Sequence, residues 1–270
     1  MRVLIRTSKW AIWARRFGSF AVPLTVLPVL LHREDIIESG DFVAVETLAL
    51  AFATLGLLLG LGGFVRLWFT GDRGWGKASW GIVFSILCLL PFGYFGYLAL
   101  KNPVVNEIST NFRDPVPLSL LRPAATPPAL QEQIAAHFPN VRTRSYPVDA
   151  GQVFTIVEQL VDEEGWDVSI SRNPDDSEGT GLLDGVAIRL LGWRDEVAIR
   201  VRATDTGAII DMRSAPFYDF PDFGENGRRV EKLLLALDGR MTALLRTAAG
   251  APAADADADQ GDAPAVEGDD

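Results

Sequence analysis

The densest concentration of usable chemistry lies in the second half of the chain, where Arg200, Arg202 and Arg213 gather around Asp211, with Glu196 a few residues upstream. A guanidinium is planar, permanently charged and able to grip a carboxylate or phosphate with two parallel bonds. The segment Thr204-Asp-Thr-Gly207 reads as a hairpin turn with glycine at its end. Pairing Ala203 with Ala208 sets Arg200 opposite Asp211. Because successive strand residues alternate between faces, Glu196, Arg200, Arg202, Asp211 and Arg213 then share one face, and Val197, Ile199, Val201, Ile210 and Met212 share the other. Two readings stand. One is a solvated sheet face laced by cross-strand ion pairs, each contributing about 0.2–1 kcal/mol. The other is an anion- or headgroup-binding surface built on three arginines. Downstream, Asp222-Phe-Gly-Glu-Asn226-Gly-Arg-Arg229 leads into the last helix. Asp222 is expected to cap that helix, and helix N-termini also attract anions, which makes Asn226 and Arg229 further binding candidates.

Other chemistries lack their residues. His32 and His137 have no second histidine or cysteine at ligand spacing, and neither HExxH nor CxxC occurs, so no metal or other cofactor is expected. A serine triad would have to recruit His137, which sits in the tether region. Asp175, Asp176 and Glu178 sit in a turn cluster without the ligand order of a calcium loop. An enzyme would have to rest on carboxylates such as Asp211 and Asp222. No basic patch with interleaved aromatics points to nucleic acid. The formal net charge is −10, and seven acids after residue 254 with no basic residue among them supply −7 of it, so the global charge says little about partners. Residues 248–270 cannot bury enough apolar surface to offset chain entropy and are expected to form a disordered acidic tail.

The elements that must position these residues fall into two parts. Residues 1–101 read as a membrane domain. Thr47 to Val65 and Ala78 to Leu100 are uncharged runs of 19 and 23 residues, and a hydrocarbon core about 30 Å thick needs roughly 20. Phe17 to Leu31 is a shorter run with Pro23 and Pro28. Three spanning helices are therefore expected, at about 17–32, 43–66 and 78–100. Trp10, Trp13, Trp68, Trp75 and Trp80 stand at the ends of the runs, where an amphipathic ring prefers the headgroup level. Gly56 and Gly60 form a GxxxG on the second helix, a packing face. No ionisable residue falls at the centre of a span, and Glu46 lies at an end. Lys and Arg are dense before the first run, sparse between the first and second, and dense again before the third. That order predicts a multi-pass protein of the cell (inner) membrane with a cytoplasmic N-terminus and an extracytoplasmic C-terminal domain. The sole cysteine, Cys88, lies within the third run.

Residues 102–128 carry six prolines and read as an extended tether. Residues 129–247 are expected to fold as a soluble α+β domain of order β-α-β-β-β-β-α, an antiparallel sheet with helices on one face. A helix over Gly151–Glu164 shows the apolar stripe Phe154, Val157, Leu160, Val161, and the last helix shows Val230, Leu233, Leu234, Leu237 and Met241.

The motifs Asp195-Glu-Val-Ala-Ile-Arg200, Asp211-Met-Arg-Ser214 and Asp222-Phe-Gly-Glu-Asn-Gly-Arg-Arg-Val230, with Asn106-Glu-Ile-Ser-Thr-Asn before them, resemble the domain of unknown function 1499 family over about residues 105–245. The resemblance implies a domain without an assigned activity. The expectation is an integral membrane protein presenting a non-catalytic binding or interaction domain. Its partners would be the lipid bilayer itself and a lipid headgroup, an anionic envelope ligand or a partner protein. The alternatives are a structural or assembly protein of the membrane and a carboxylate-dependent envelope enzyme.

Overall fold

The computed structural model describes residues 6–103, 105, 107–119, 126–176, 178–218 and 222–250. Of the expected acidic tail, residues 248–250 belong to the last helix and residues 251–270 lie outside the described residues.

Three long helices come first: α1 (Lys9–Arg33), α2 (Ser39–Thr70) and α3 (Trp75–Lys101). All three are long and apolar enough to cross a membrane. Each runs further at both ends than its uncharged stretch. In α1 the helix continues through Pro23 and Pro28, so its 25 residues reach ~37 Å at 1.5 Å per residue. The short first run is thereby long enough to match the other two.

Small residues hold the bundle together. The small buried residues are Ala11, Ala14, Gly18 and Ala21 on α1, with Ala49, Ala53, Gly56, Gly60 and Gly63 on α2, and Phe42 and Leu67 of α2 are buried beside them. On α3 they are Ala78, Gly81, Ser85 and Cys88. Spacings of three and four keep each set on one stripe. The backbones approach so closely that a Cβ on Gly18 would sit 2.5 Å from Gly81 O, and one on Gly81 would sit 2.5 Å from the Ala14 carbonyl carbon. The GxxxG of α2 serves this internal seam, because Gly56 faces Gly18 and Ser85 while Gly60 faces Ile82.

The rest of the described chain builds one six-stranded antiparallel sheet in the order β1-β6-β5-β4-β3, with β2 also pairing with β6. The strands are β1 (Ile108–Ser109), β2 (Arg144–Tyr146), β3 (Asp167–Arg172), β4 (Thr180–Ile188), β5 (Arg194–Thr204) and β6 (Gly207–Pro216). The helices are α4 (Pro128–His137), α5 (Ala150–Glu163) and α6 (Glu225–Gly250). The β5–β6 hairpin has the expected register, with Ala203 opposite Ala208 and Arg200 opposite Asp211. Its apolar face, Val197, Ile199, Val201, Ile210 and Met212, joins Val153, Phe154 and Val157 of α5 and Leu233, Leu234 and Leu237 of α6 in a single core. Asp149 caps α5, accepting from Gly151 N at 2.9 Å and Gln152 N at 3.3 Å.

The Pro-rich stretch does more than connect. It contributes β1, which pairs with Ser214 and Arg213 of β6, and residues beyond it cross the charged face of the sheet.

Candidate functional site

The charged face is an internally bonded network in which Arg200 Nε and Glu196 Oε2 are buried without a hydrogen-bond partner among the described residues. Asp211 is fully buried. Its Oδ1 accepts from Thr143 Oγ1 at 2.6 Å and Thr110 Oγ1 at 3.4 Å. Its Oδ2 accepts from Arg200 Nη2 at 3.1 Å and Arg202 Nη2 at 3.0 Å. Asp114, from the Pro-rich stretch, takes both arginines again at 2.9 and 3.2 Å. Arg213 donates to Glu107 Oε1 at 3.0 Å and to Val116 O at 2.9 Å. Glu196 accepts from the Ser119 backbone N–H. The side chains of Arg200 and Arg213 are only 12% and 11% exposed, and Arg202 keeps 37%. The three arginines thus meet internal carboxylates and carbonyls, and residues 107–119 lie over them. The arrangement clamps a segment to the sheet. Beside it, burial first and the Glu196 charge second push the Asp184 carboxyl up to about 6.

The remaining candidates, Asp222, Asn226 and Arg229, form a second group at the start of α6. Asp222 Oδ1 accepts from Gly224 N at 2.9 Å and Oδ2 from Asn226 N at 3.1 Å, the bonding of a helix cap. Desolvation raises its pKa, and the two N–H donors and Arg189 oppose that rise. The Asn226 side chain accepts from Ser214 Oγ at 2.7 Å. Arg229 reaches Ser214 Oγ at 3.2 Å and Asp195 Oδ2 at 2.9 Å. Asp195 is wholly buried and also receives Arg189 Nε at 2.7 Å. The structure therefore divides the seven expected residues into two clusters. It adds Asp195, Ser214 and Arg189, of which the first two stand in the recognised motifs while Arg189 carried no pattern signal.

The second cluster underlies the junction between sheet and helices. The β4–β5 turn reaches the ends of α1 and α2, where His32 Nδ1 lies 2.7 Å from Leu191 O and Nε2 lies 3.1 Å from Ser39 Oγ. A carbonyl only accepts, so Nδ1 carries the proton in that contact. The His32 ring stacks on Phe42 at 4.7 Å and meets Trp193 edge-on at 5.6 Å. Arg33 donates to Leu190 O at 2.9 Å, and Arg194 pairs with Asp35 at 3.1 Å. Phe223, next to the Asp222 cap, packs on Phe95 of α3 at 5.4 Å. Gly192 makes the turn possible: its φ is +95°, and a Cβ there would stand 2.8 Å from Arg33 N.

Below this roof lies an apolar cleft of about 500 Å³. Its walls come from Thr25, Val29 and Leu30 of α1, Phe42, Glu46 and Leu50 of α2, and Pro91 and Phe95 of α3. Leu191, Trp193 and Phe223 close it from the sheet side. A smaller hollow of about 180 Å³ continues from it past Tyr94 and Phe95 toward Arg189 and Asp222. Among the described residues, no group of three or more His, Cys, Asp or Glu could hold a metal ion.

Fold and site together define a class: an α+β domain seated on the end of a three-helix bundle of membrane-spanning length. Residues 119–237 match a family model described as "Protein of unknown function (DUF1499)", a narrower stretch than the resemblance over 105–245 and one that leaves the three helices outside. No curated protein and no solved structure matches the chain.

Proposed function

We propose that this is an integral membrane protein with a cytoplasmic N-terminus whose extracytoplasmic domain is a non-catalytic lipid-binding module, taking its ligand between the domain and the helices. The observation that carries this reading is the apolar cleft of about 500 Å³ walled by all three helices and roofed by Leu191, Trp193 and Phe223. Its size falls within the ~300–1,000 Å³ usual for small-molecule sites. A cleft at bilayer depth with hydrocarbon walls is filled most readily by a lipid chain. The charged face of the sheet serves the module by holding the Pro-rich segment in place. The two acids an enzyme would need are engaged there and at the helix cap: Asp211 accepts from four side chains and Asp222 from two backbone N–H groups.

Two measurements test this. Native mass spectrometry of the full-length protein in mild detergent is expected to show bound lipid, and Val29→Trp, which fills the cleft, is expected to remove it. Retention by that variant would place the lipid elsewhere. For sidedness, Asp205→Cys on the β5–β6 turn is expected to react with a membrane-impermeant maleimide on intact cells, whereas buried Cys88 stays silent. Labelling only after lysis would put the domain in the cytoplasm.

A further inference from the structure

We propose that the cleft selects an uncharged lipid bearing a hydroxyl, whose O–H donates to Glu46; this rests on the lipid-binding reading above. Glu46 lines the cleft from α2, and its Oε1 is buried with no hydrogen-bond partner among the described residues. A carboxyl in apolar surroundings is costly to leave unpaired, and ionisable groups at membrane depth mark ligand paths. The two hydroxyls on the same walls do not meet the need. Thr25 donates to Ala21 O at 3.0 Å and Thr47 donates to Val43 O at 2.7 Å, each within its own helix. Neither hydroxyl is directed at Glu46, so its Oε1 stands in the cleft as an unmatched acceptor.

The remaining lining decides the class of ligand. No Lys or Arg is among the residues that line the cleft, so a phosphate drawn into it would meet the Glu46 carboxyl without a counter-charge. A neutral head with a hydroxyl, as in a diacylglycerol, satisfies the orphan oxygen while its hydrocarbon covers Val29, Leu50 and Phe95. Phosphatidylcholine, whose head carries a phosphate and no N–H or O–H donor, does not.

The test uses full-length protein in mild detergent, offered diacylglycerol or phosphatidylcholine with the same acyl chains and read by native mass spectrometry. Wild type is expected to retain diacylglycerol in preference to phosphatidylcholine. Glu46→Leu, which keeps an apolar wall, is expected to weaken diacylglycerol retention about tenfold, the effect of one lost hydrogen bond. Glu46→Gln keeps an acceptor oxygen and is expected to retain it. Equal retention of phosphatidylcholine, or undiminished diacylglycerol on Glu46→Leu, overturns the hydroxyl assignment. If Val29→Trp loses diacylglycerol while Glu46→Leu does not, the cleft still holds a chain and only the assignment to Glu46 falls. If Val29→Trp retains it as well, the cleft reading itself falls.

Discussion

Asp211 illustrates what a single residue decides here. The turn register put it opposite Arg200, but nothing in the local pattern said that Thr110, Asp114 and Thr143 would complete its surroundings. Removing one side of a buried ion pair typically costs about 3–5 kcal/mol, because the other side is left charged and uncompensated. Asp211→Ala is therefore expected to lower stability by that order in denaturant titration. It is also expected to loosen residues 107–119, seen as faster proteolysis within that stretch. Asp184 behaves in the opposite sense. Its folded pKa, about 6, lies above that of an unfolded aspartate, so the folded protein holds the proton more tightly. Stability from this group is present at low pH and is lost as pH rises from about 4 through 6. Asp184→Asn is expected to flatten that part of the Tm-against-pH curve and to raise Tm at pH 7. A Tm unchanged between pH 4.5 and 7 in both proteins would show that the carboxyl is not held protonated.

Among the elements, the three helices and the core-facing stripes of α5 and α6 were readable because periodicity survives any context. Fifteen apolar residues with two prolines looked short for a span, yet α1 continues from Lys9 to Arg33 because the flanking polar turns remain helical. β1 was not readable: two residues, Ile108 and Ser109, carry no period, and only the free edge of β6 makes them a strand. The same holds for the Pro-rich stretch, whose composition describes an extended chain without saying what it lies against. The packing of α1 against α3 depends on small residues at one crossing, so Gly81→Leu, facing the Ala14 carbonyl, is expected to separate the helices. A drop of several degrees in detergent Tm would register it. The same change at Gly93, where a Cβ would meet nothing within 4 Å, is expected to have little effect.

The whole molecule is defined by how its two halves meet. Leu191, Gly192 and Trp193 fit against His32, Arg33 and Phe42, and this contact roofs the cleft. Gly192→Val would force a side chain into the Arg33 backbone at a positive φ that branched residues avoid. It is expected to unseat the domain without unfolding it, giving faster hydrogen exchange over residues 30–42 and 189–194 with the α5–α6 core unchanged. Unaltered exchange in both segments would mean the contact is not what holds the halves together. The sequence by itself determined the three apolar helices, the α+β order of the second half, the register of the β5–β6 hairpin and the motif that matches the family model, because each follows from composition, short periods or turn chemistry within a few residues. Only the tertiary structure decided that Arg200 and Arg202 meet Asp114 and Asp211 and that Arg213 meets Glu107. It alone decided that Asp195 joins Arg189 to Arg229, and that Glu46 lines a cleft roofed by Leu191, Trp193 and Phe223, far along the chain. Those outcomes depend on contacts between segments far apart in the chain, and no local pattern encodes which distant partner a charged or apolar side chain will find.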